Sequence, residues 1–499
     1  MEVCRALPRS PLLLTLLLGA CAVGPDFERP GAVSTGTYVE SPLPKKVAAP
    51  AAVAGGEEQE LRPGNDLIHD WWTLFHSETL NQLVEGALRE NPTLAAASAA
   101  LRQARETLVA GRGNLTVPAV NGQLSAARER ASAAELGLPY ASTFALYNAQ
   151  VSVSYTVDLF GSVRRQLEAL QAQVDYQENQ LRAAQLALTA NIVTAVVREA
   201  ALREQIQALR DVERLQQSGL EIVERRFELG AVTRTDVLTQ RTALAQTTAS
   251  IFPLELQRAQ TLHQLAAYTG KAPSELDLAP FEILRMDLPV DLPVSVPSDL
   301  VHQRPDILAA ESLLHAASAQ VGVATANQYP QLTLGGNFGY TALSVRQLFE
   351  PDSIVWSMSA ALAQPIFHGG ALAAQRRAAV AAFDQAAALY RQTVLTAFEN
   401  VADALRALEF DARTLAAQSE AYTQARAAAE LAQTQFDAGA VSYLSLLTAQ
   451  QQLAQSAVAV VQARANRFAD TAALFQALGG GWWNQIQPQL PAKPLAQTE

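Results

Sequence analysis

Histidine and cysteine are the side chains through which this chain could bind a metal ion or supply a nucleophile. The six histidines form no His-x3-His pair and no zinc motif. They are His69, His76, His263, His302, His315 and His368. No Gly-x-Ser-x-Gly, phosphate loop or dinucleotide fingerprint occurs, and the glycine-rich LGGNFG lies in strand-like sequence. The sequence therefore predicts that the protein is not an enzyme and has no metal site.

The two cysteines lie in or directly after an apolar leader. Its core, PLLLTLLLGA, has signal-peptide length and is too short to span a bilayer as a helix. The small residues before Cys21 resemble the lipobox of bacterial lipoproteins, where the cysteine thiol takes a diacylglycerol. We expect residues 1–20, with Cys4, to be removed and Cys21 to be lipidated, with no other cofactor. An ordinary signal peptide with a nearby cysteine is the alternative. By resemblance to lipoprotein sorting, Ala22 indicates the outer membrane.

The composition favours long helices and argues against nucleic acid as a partner. The chain has 499 residues, of which 49% are hydrophobic but only 6% are aromatic. Much of the apolar content is alanine and leucine, which are strong helix formers. The net charge is −11 and no basic cluster is present.

The sequence repeats itself at an offset of about 210 residues. ENPTLAAASAALRQA in the first half matches QRPDILAAESLLHAA in the second. In the same way RFELGAVTRTDVLTQRTAL matches QFDAGAVSYLSLLTAQQQL. We interpret this as two structural repeats within one fold. The predicted parts are a signal peptide (1–20), a lipidated extended segment (21–75), a first repeat (76–270), a linker (271–298), a second repeat (299–481) and a C-terminal tail (482–499).

Each repeat is predicted to end in two very long helices. No proline occurs between Gly161 and Ile251 or between Ile366 and Gln487. A helix over about 162–229 would be about 100 Å long at 1.5 Å per residue. Gly230 and Gly439 fall where each helix should end and reverse, because glycine adopts the left-handed conformation. A heptad seam for helix packing contains Val401, Leu408, Leu415, Tyr422, Ala429 and Phe436.

Between its helices, each repeat carries a stretch of β character that predicts two strands. These stretches cover about 118–158 and 330–367, and AQVSVSYTV alternates with period two. Four strands are too few for a closed transmembrane barrel, so a membrane location would require an oligomer. A soluble four-stranded sheet is the alternative. The leader, and the lack of an apolar run long enough for a spanning helix, favour the membrane.

Seven motifs in order resemble the TolC-like outer-membrane efflux proteins, in particular the NodT-type lipoprotein branch. They are LLGACAVGPDFERP, WWTLFHSETLNQLVEGALRENPTL, YTVDLFGSVRRQ, VPSDLVHQRPDILAAE, QPIFHGG, GAVSYLSLLTAQ and ALGGGW. Together they cover the mature chain nearly end to end.

The resemblance implies a mainly α fold with a transmembrane β part. A homotrimer would form a 12-stranded β-barrel, continued by a long periplasmic α-helical barrel. The linker at 271–298 and the tail at 482–499 would lie in an equatorial belt. The function implied is that of a passive exit duct for drugs or small solutes, lipid-anchored in the outer membrane. Its implied partners are outer-membrane lipid, a periplasmic adaptor protein and an inner-membrane pump that acts indirectly or at the tip.

The resemblance also places residues at the periplasmic mouth. Gly230 and Gly439 would mark the hairpin turns that contact the adaptor. Leu444 matches the constricting leucine of relatives, whereas Ser445 and Thr448 match acidic positions and are uncharged. This departure puts an acidic ring at the second hairpin in doubt.

Two further residues carry predictions, one at the first hairpin and one at a strand-to-helix junction. Asp236 could supply negative charge at the first hairpin, or could be a first-turn carboxylate favoured by the helix dipole. His368, where relatives often have Asp, is interpreted as a surface change.

Two other functions remain open. The chain could be a structural lipoprotein tether, which would need the helices and the lipid but not the strands. It could also be an exit duct for polypeptides, as in type I secretion. Export of soft metals gains no support, since only three methionines are present.

Overall fold

A computed structural model describes residues 22–31, 37–48, 54–132, 134, 139–277 and 286–484. The predicted signal peptide, Cys21, residues 278–285 of the linker and residues 485–499 of the tail lie outside the described part. The chain divides into two compact units. Unit 1 contains residues up to 30, 100–178 and 309–391, and unit 2 contains residues 31–99, 179–308 and those from 392 onward.

Helices make up most of the described chain, and strands account for two small sheets. The helices are α1 (Glu78–Glu90), α2 (Pro92–Thr116), α3 (Ser162–Glu228), α4 (Arg234–Tyr268), α5 (Pro297–Gln303), α6 (Pro305–Ala326), α7 (Ala371–Asp437) and α8 (Tyr443–Ala477). The strands are β1 (Lys46–Val47), β2 (Gln59–Pro63), β3 (Ala119–Ala131), β4 (Ser142–Val157), β5 (Asp291–Val294), β6 (Gln331–Ala342) and β7 (Ile354–Ala363).

The same order of elements occurs twice along the chain. In each half a helix that opens at a proline precedes two strands, a helix of 67 residues and a helix of 35 residues. The long helices reverse as the sequence predicts. Gly230 has φ +73° and Gly439 has φ +74°, both left-handed. At the two turns Ala231 N donates to Arg226 O at 2.8 Å and Ala440 N donates to Gln435 O at 2.8 Å, which closes each helix end.

The predicted packing seam on α7 is buried. Val401, Leu408 and Leu415 have no exposed surface, and Phe436 is 4% exposed. Tyr422 is half-buried. A seven-residue repeat on a straight helix keeps these side chains against a neighbouring helix, so the periodicity located the buried face correctly.

In unit 1 the four predicted strands form one antiparallel sheet in the order β3-β4-β6-β7. One cross-strand row runs through Gly122, Val151, Phe338 and Trp356. Within the sheet β3 and β7 each pair with a single neighbour. Among the strands that the structure describes, the sheet therefore has two open edges.

The expectation of only four strands is wrong, because a second sheet of three short strands lies in unit 2. Its order is β1-β2-β5, so the segment predicted to be merely extended (21–75) pairs with the linker. Glu60 faces Asp291 and Leu61 faces Leu292 in the parallel β2–β5 pair. Strands of two to five residues beside prolines show too little alternation to be recognised in the sequence.

The expectation that no helix could span a membrane needs a similar correction. The 22-residue helix α6 is long and apolar enough by length and composition, with mean hydropathy 1.3 over its best window. Its polar residues have partners inside unit 1. Glu311 pairs with Arg29 at 2.7 Å, and His315 Nε2 lies 2.8 Å from Glu168 Oε1. These contacts are those of a packed helix.

A buried guanidinium joins separate segments of unit 2. Arg467 on α8 has no exposed surface. It donates to Gly55 O at 2.5 Å, to Glu57 O at 3.0 Å and to Gln59 Oε1 at 2.9 Å. Burial lowers the pKa of Arg467, because desolvation disfavours its charged form. The guanidinium thus ties the N-terminal segment to α8.

Gln59 extends this network to a third part of the chain. Its side chain has no exposed surface and donates to Pro289 O at 2.9 Å and to Thr471 Oγ1 at 3.0 Å. One buried amide therefore joins the N-terminal segment, the linker and α8.

We expect Arg467→Met to destabilise unit 2 by about 3–5 kcal/mol, because several acceptors would lose a buried charged donor. The measurement is the apparent melting temperature of the detergent-solubilised protein, followed by circular dichroism.

Arg413→Met is the matched control. The Arg413 side chain is 67% exposed, and its loss should change stability by less than about 0.5 kcal/mol. Equal melting temperatures for the two variants would contradict the role of Arg467.

Candidate functional site

The first part of the candidate site is the four-stranded sheet, whose two faces differ in chemistry. Residues that face each other across the four strands form a row, and alternate rows have their side chains on the same face of the sheet. One face carries Val120, Leu124, Val151, Val153, Leu334, Phe338, Ile354, Trp356, Met358 and Leu362. The opposite face carries Asn121, Gln123, Ser125, Asn148, Gln150, Ser152, Ser154, Thr156, Thr333, Asn337, Thr341, Ser357 and Ser359.

The apolar face is largely uncovered within the chain. Met358 is 85% exposed, Leu124 78% and Trp356 71%. A contiguous apolar surface of this kind is rare on monomeric soluble proteins and marks a membrane or protein interface. This observation argues against a soluble sheet.

The polar face is held together by hydrogen bonds between uncharged side chains. Thr341 Oγ1 donates to Asn148 Oδ1 at 2.8 Å, and Asn148 Nδ2 donates to Ser125 Oγ at 3.4 Å. Gln150 Nε2 donates to Gln123 Oε1 at 3.2 Å. From the row of Asn121 and Ser152 to the row of Ser125 and Asn148, amides and hydroxyls form a wettable surface without fixed charge. Toward Ala131 the sheet becomes charged, with Glu129 on this face and Arg128 and Arg130 on the other.

The second part of the site is formed by the two helical turns in unit 2. Ends of α3, α4, α7 and α8 share one apolar cluster, which contains Leu220, Val223, Val237, Ala243, Phe436, Tyr443, Leu446 and Leu447. This shared core fixes the α3–α4 turn and the α7–α8 turn to each other.

Arg226 strengthens the junction between the two turns. Its guanidinium lies 4.4 Å from the ring centroid of Phe436 and donates to Phe436 O at 3.3 Å. Phe436 in turn packs edge-on against Tyr443 at 5.6 Å. Burial raises the pKa of the Tyr443 hydroxyl, so Tyr443 stays neutral. Arg226 and Tyr443 were not among the residues predicted from the sequence, although both lie in or close to the matched segments RFELG and QFDAG.

Asp236 is engaged by its own helix. Its Oδ2 accepts hydrogen bonds from Thr233 N and from Thr233 Oγ1, each at 2.8 Å. The reciprocal bond from Asp236 N to Thr233 Oγ1 completes a capping box. The interpretation of Asp236 as a first-turn carboxylate is therefore confirmed, and a pore-lining role for it stays a prediction.

The second turn begins α8 with hydroxyl groups. Ser442 caps the helix by accepting from Ser445 N at 3.3 Å. Thr448 Oγ1 donates to Leu444 O at 2.9 Å and bears no charge. Leu444 itself is 65% exposed. The turn thus presents an uncovered leucine beside two hydroxyl side chains, and their role as a gate stays a prediction.

The N-terminal segment that would follow a lipidated Cys21 packs inside unit 1. Val23 N donates to Phe160 O at 3.0 Å. Asp26 pairs with Arg165 at 2.6 Å, and the Phe27 ring stacks on His315 at 4.3 Å. Since β4 ends at Val157, this segment runs beside the end of the sheet from which α3 departs.

The histidines take structural positions. His76 Nδ1 lies 3.1 Å from Asp287 Oδ2, and His368 is an exposed residue of the turn before α7. In the described part of the chain no group of three His, Cys, Asp or Glu residues is placed to hold a metal ion.

We expect Gly439→Ala to cost about 1 kcal/mol, because a side chain is strained at φ +74° even though no atom lies within 4 Å of the added Cβ. Gly439→Asn should cost less, because asparagine tolerates this conformation. The measurement is urea unfolding of the solubilised protein.

Gly113→Ala is the opposite-sign control. Gly113 lies inside α2 with open space around its Cα, so alanine there should stabilise by up to about 1 kcal/mol. If Gly439→Ala raised the free energy of unfolding as Gly113→Ala does, the left-handed turn would not be required.

Comparison with known proteins identifies a family that shares this geometry. The model for outer membrane efflux proteins matches residues 83–271 and 296–480. The chain is 33% identical to the pyoverdine export outer membrane protein OpmQ of Pseudomonas putida over 83% of this chain and 88% of OpmQ. It is 29% identical to nodulation protein T of Rhizobium leguminosarum bv. viciae over 94% of this chain and 92% of that protein. The solved structure of the outer-membrane channel OprN matches with a TM-score of 0.82 at 29% identity, covering 93% of this chain and 100% of OprN.

Proposed function

Because this chain belongs to the outer membrane efflux protein family, we propose that it is the outer-membrane channel component of a tripartite efflux system. Solutes delivered by an inner-membrane pump, through a periplasmic adaptor, leave the cell through it. The observation that carries this proposal is the sheet, which away from the charged Ala131 end of β3 has one apolar face and one uncharged polar face. A channel wall needs both faces, and a tether needs neither.

Closure of the sheet requires several copies of the chain. In the hydrocarbon core every backbone N–H and C=O must be paired, and β3 and β7 each leave one side open. Three copies, each joining its β3 to a neighbour's β7, give a barrel of twelve strands. An even number of strands allows antiparallel closure, and twelve strands exceed the eight whose barrel interior side chains fill.

The barrel lumen in this arrangement is lined by amides and hydroxyls. The row of Asn121, Ser152, Asn337 and Ser357 faces inward, and the row of Val120, Val153, Gly336 and Met358 faces the lipid. Such a wall conducts solutes without binding them strongly, as expected for a passive duct.

Lipidation of Cys21 fits the place where the described chain begins. A Cβ on Gly161 would lie only 2.8 Å from the Cα of Ala22, so the residue after the cysteine is held next to the start of α3. An acyl chain on Cys21 would enter the leaflet that surrounds the helix-side end of the barrel. This anchor would add to the apolar face of the sheet.

Small solutes are the cargo that the relatives favour. One relative is named for export of pyoverdine, and we extend small-molecule export to this chain without naming its substrate. Polypeptide export is the less supported alternative.

The test is accumulation of a fluorescent amphiphilic dye in energised cells with and without the protein. We expect higher accumulation without it and restoration on resupply. Met358→Lys should abolish export, because a charge on the lipid face costs about 2–4 kcal/mol per copy at the bilayer midplane. The amount of assembled protein in the outer membrane is measured in parallel.

Ser359→Lys is the matched control on the next residue, whose side chain belongs to the polar face. It should assemble and retain export. Wild-type export by Met358→Lys would leave the tether as the better explanation. Equal loss of export from both lysines would contradict the assignment of the two faces.

A gate at the periplasmic mouth is the second testable part of the proposal. Leu444 is exposed at the α7–α8 turn, and three copies around an axis would narrow the opening. We expect Leu444→Ser to widen the mouth and increase entry of large antibiotics that the outer membrane normally excludes. Uptake in an outer-membrane permeability assay is the measurement.

Leu395→Ser controls for loss of an exposed leucine elsewhere on α7. Leu395 is 55% exposed and lies far from the turn in sequence. Permeability that is unchanged by Leu444→Ser, or raised equally by both variants, removes Leu444 from the gate.

A further inference from the structure

The lipid-facing side of the sheet changes from apolar to basic at the end of β3 that lies farthest from the helices. Two arginines, Arg128 and Arg130, stand there on the same face as Val120, Leu124 and Ala126. The row of Tyr147 is the last that β4 shares with β6, and the two arginines lie beyond it. Both are exposed. The apolar face therefore ends in two neighbouring cations.

The apolar part of this face has the height of a bilayer. About 9–11 residues of a tilted strand cross the hydrocarbon core, and the stretch of β4 from Tyr147 to Val157 has that length. Tyr147 and Tyr340 lie on this face near its upper boundary, and Tyr155 lies near its lower boundary. Aromatic side chains flank the apolar band of membrane barrels in this way at both interfaces.

The two arginines lie just above this boundary, at the level of the lipid headgroups. With a rise of about 3.4 Å per residue and a tilt of about 45°, Arg128 lies about 5 Å and Arg130 about 10 Å above Ala126. The headgroup region adds about 5–8 Å on each side of the hydrocarbon core. A lipid-facing cation is costly in the core and nearly free of cost at the interface. Both guanidinium groups can therefore reach lipid phosphates.

The connection of the sheet to the helices assigns this end to the outer leaflet. The helix α2 leads into β3 at Ala119, and α3 follows the end of β4 at Val157. The helices thus join the opposite end of the sheet from the arginines. In the proposed channel these helices extend into the periplasm, so this step rests on the proposed function. The outer leaflet of an outer membrane consists of a phosphorylated glycolipid, lipid A.

The arginines have no counter-charge within the described part of the chain. Among the described residues neither Arg128 nor Arg130 makes a hydrogen bond or ion pair through its side chain. Glu129 lies between them in sequence, but its side chain belongs to the opposite face. Two guanidinium groups side by side repel each other unless an anion lies between them. The planar fork of arginine fits phosphate oxygens in a bidentate manner.

We propose that Arg128 and Arg130 form a binding site for the phosphate groups of outer-leaflet lipid A. The acyl chains of the same lipid pack on the apolar rows below, beside Leu124 and Tyr147. Each copy in the proposed oligomer carries one such site, and the contact fixes the depth of the barrel in the membrane.

The test measures lipid binding to the assembled, detergent-solubilised protein by native mass spectrometry. Lipid A with both phosphates is compared with the same lipid after removal of its phosphates. We expect the parent protein to prefer the phosphorylated lipid by about tenfold, and the Arg128→Gln, Arg130→Gln variant to prefer it by less than about twofold. Arg128→Lys, Arg130→Lys should keep part of the preference, because lysine retains the charge without the fork.

The matched control is Arg102→Gln, Arg391→Gln, which removes the same charge from two exposed positions. At 1.5 Å per residue, Arg102 lies about 20 Å before the end of α2 and Arg391 about 30 Å after the start of α7. This variant should keep the full preference. An equal fall in both glutamine variants, or equal binding of both lipids by the parent, would overturn the proposal. Displacement of bound lipid A by an equimolar amount of inorganic phosphate would also overturn it.

Dye export separates this inference from the proposed function. The arginines lie outside the lumen, so the Arg128→Gln, Arg130→Gln variant should export like the parent. A parent that fails to export contradicts the channel, whereas export without a preference for phosphorylated lipid contradicts only the lipid site. Loss of the assembled oligomer in the Arg128→Gln, Arg130→Gln variant would likewise overturn the lipid site, because it would assign the arginines to contacts between copies.

Discussion

The unpaired backbone along β3 and β7 is the constraint on which the proposed architecture depends. Each strand has a partner on one side only, while the apolar face of the same sheet is uncovered. Water would satisfy the edges but not the apolar face, and lipid would satisfy the face but not the edges. Pairing with other copies inside a bilayer satisfies both, because it closes the edges and leaves the apolar face to the acyl chains. Oligomerisation and membrane insertion are therefore one event in the proposal.

In unit 2, side chains donate hydrogen bonds to backbone carbonyls that the short strands leave unpaired. The short strands at residues 46–47, 59–63 and 291–294 lie against α8, and they are too short to pair every carbonyl. Arg467 supplies donors to Gly55 O and Glu57 O, and Gln59 donates to Pro289 O. Two long polar side chains thus replace a regular ladder. A charged donor suits this task, because hydrogen bonds to charged groups are stronger than neutral ones and the guanidinium reaches several acceptors at once.

The sequence predicted those features whose causes are local. The reversals at Gly230 and Gly439 followed from glycine and helix periodicity, and the four long strands followed from alternation. The buried seam of α7, for example Leu408 and Leu415, followed from its seven-residue spacing. Features that depend on distant partners could not be predicted. The contacts of Arg226 with Phe436 and of Arg467 with Gly55 join residues more than 200 and 400 positions apart, and no single-residue property distinguishes these arginines from exposed ones such as Arg413.

The candidate site, too, was predicted only in part from the sequence. Asp236 was left between two interpretations because its type suits both a pore charge and a helix cap. The geometry of Asp236 supports the helix cap and leaves the pore charge untested, since both hydrogen bonds to its Oδ2 come from Thr233. A carboxylate that already accepts two hydrogen bonds and faces the positive end of its helix dipole is less available to bind a mobile cation. Ser445 and Thr448 at the second turn are uncharged, so neither adds a charge that could select a cargo in the proposed assembly. Together with a barrel wall of amides and hydroxyls, this favours a duct that leaves the choice of cargo to the pump.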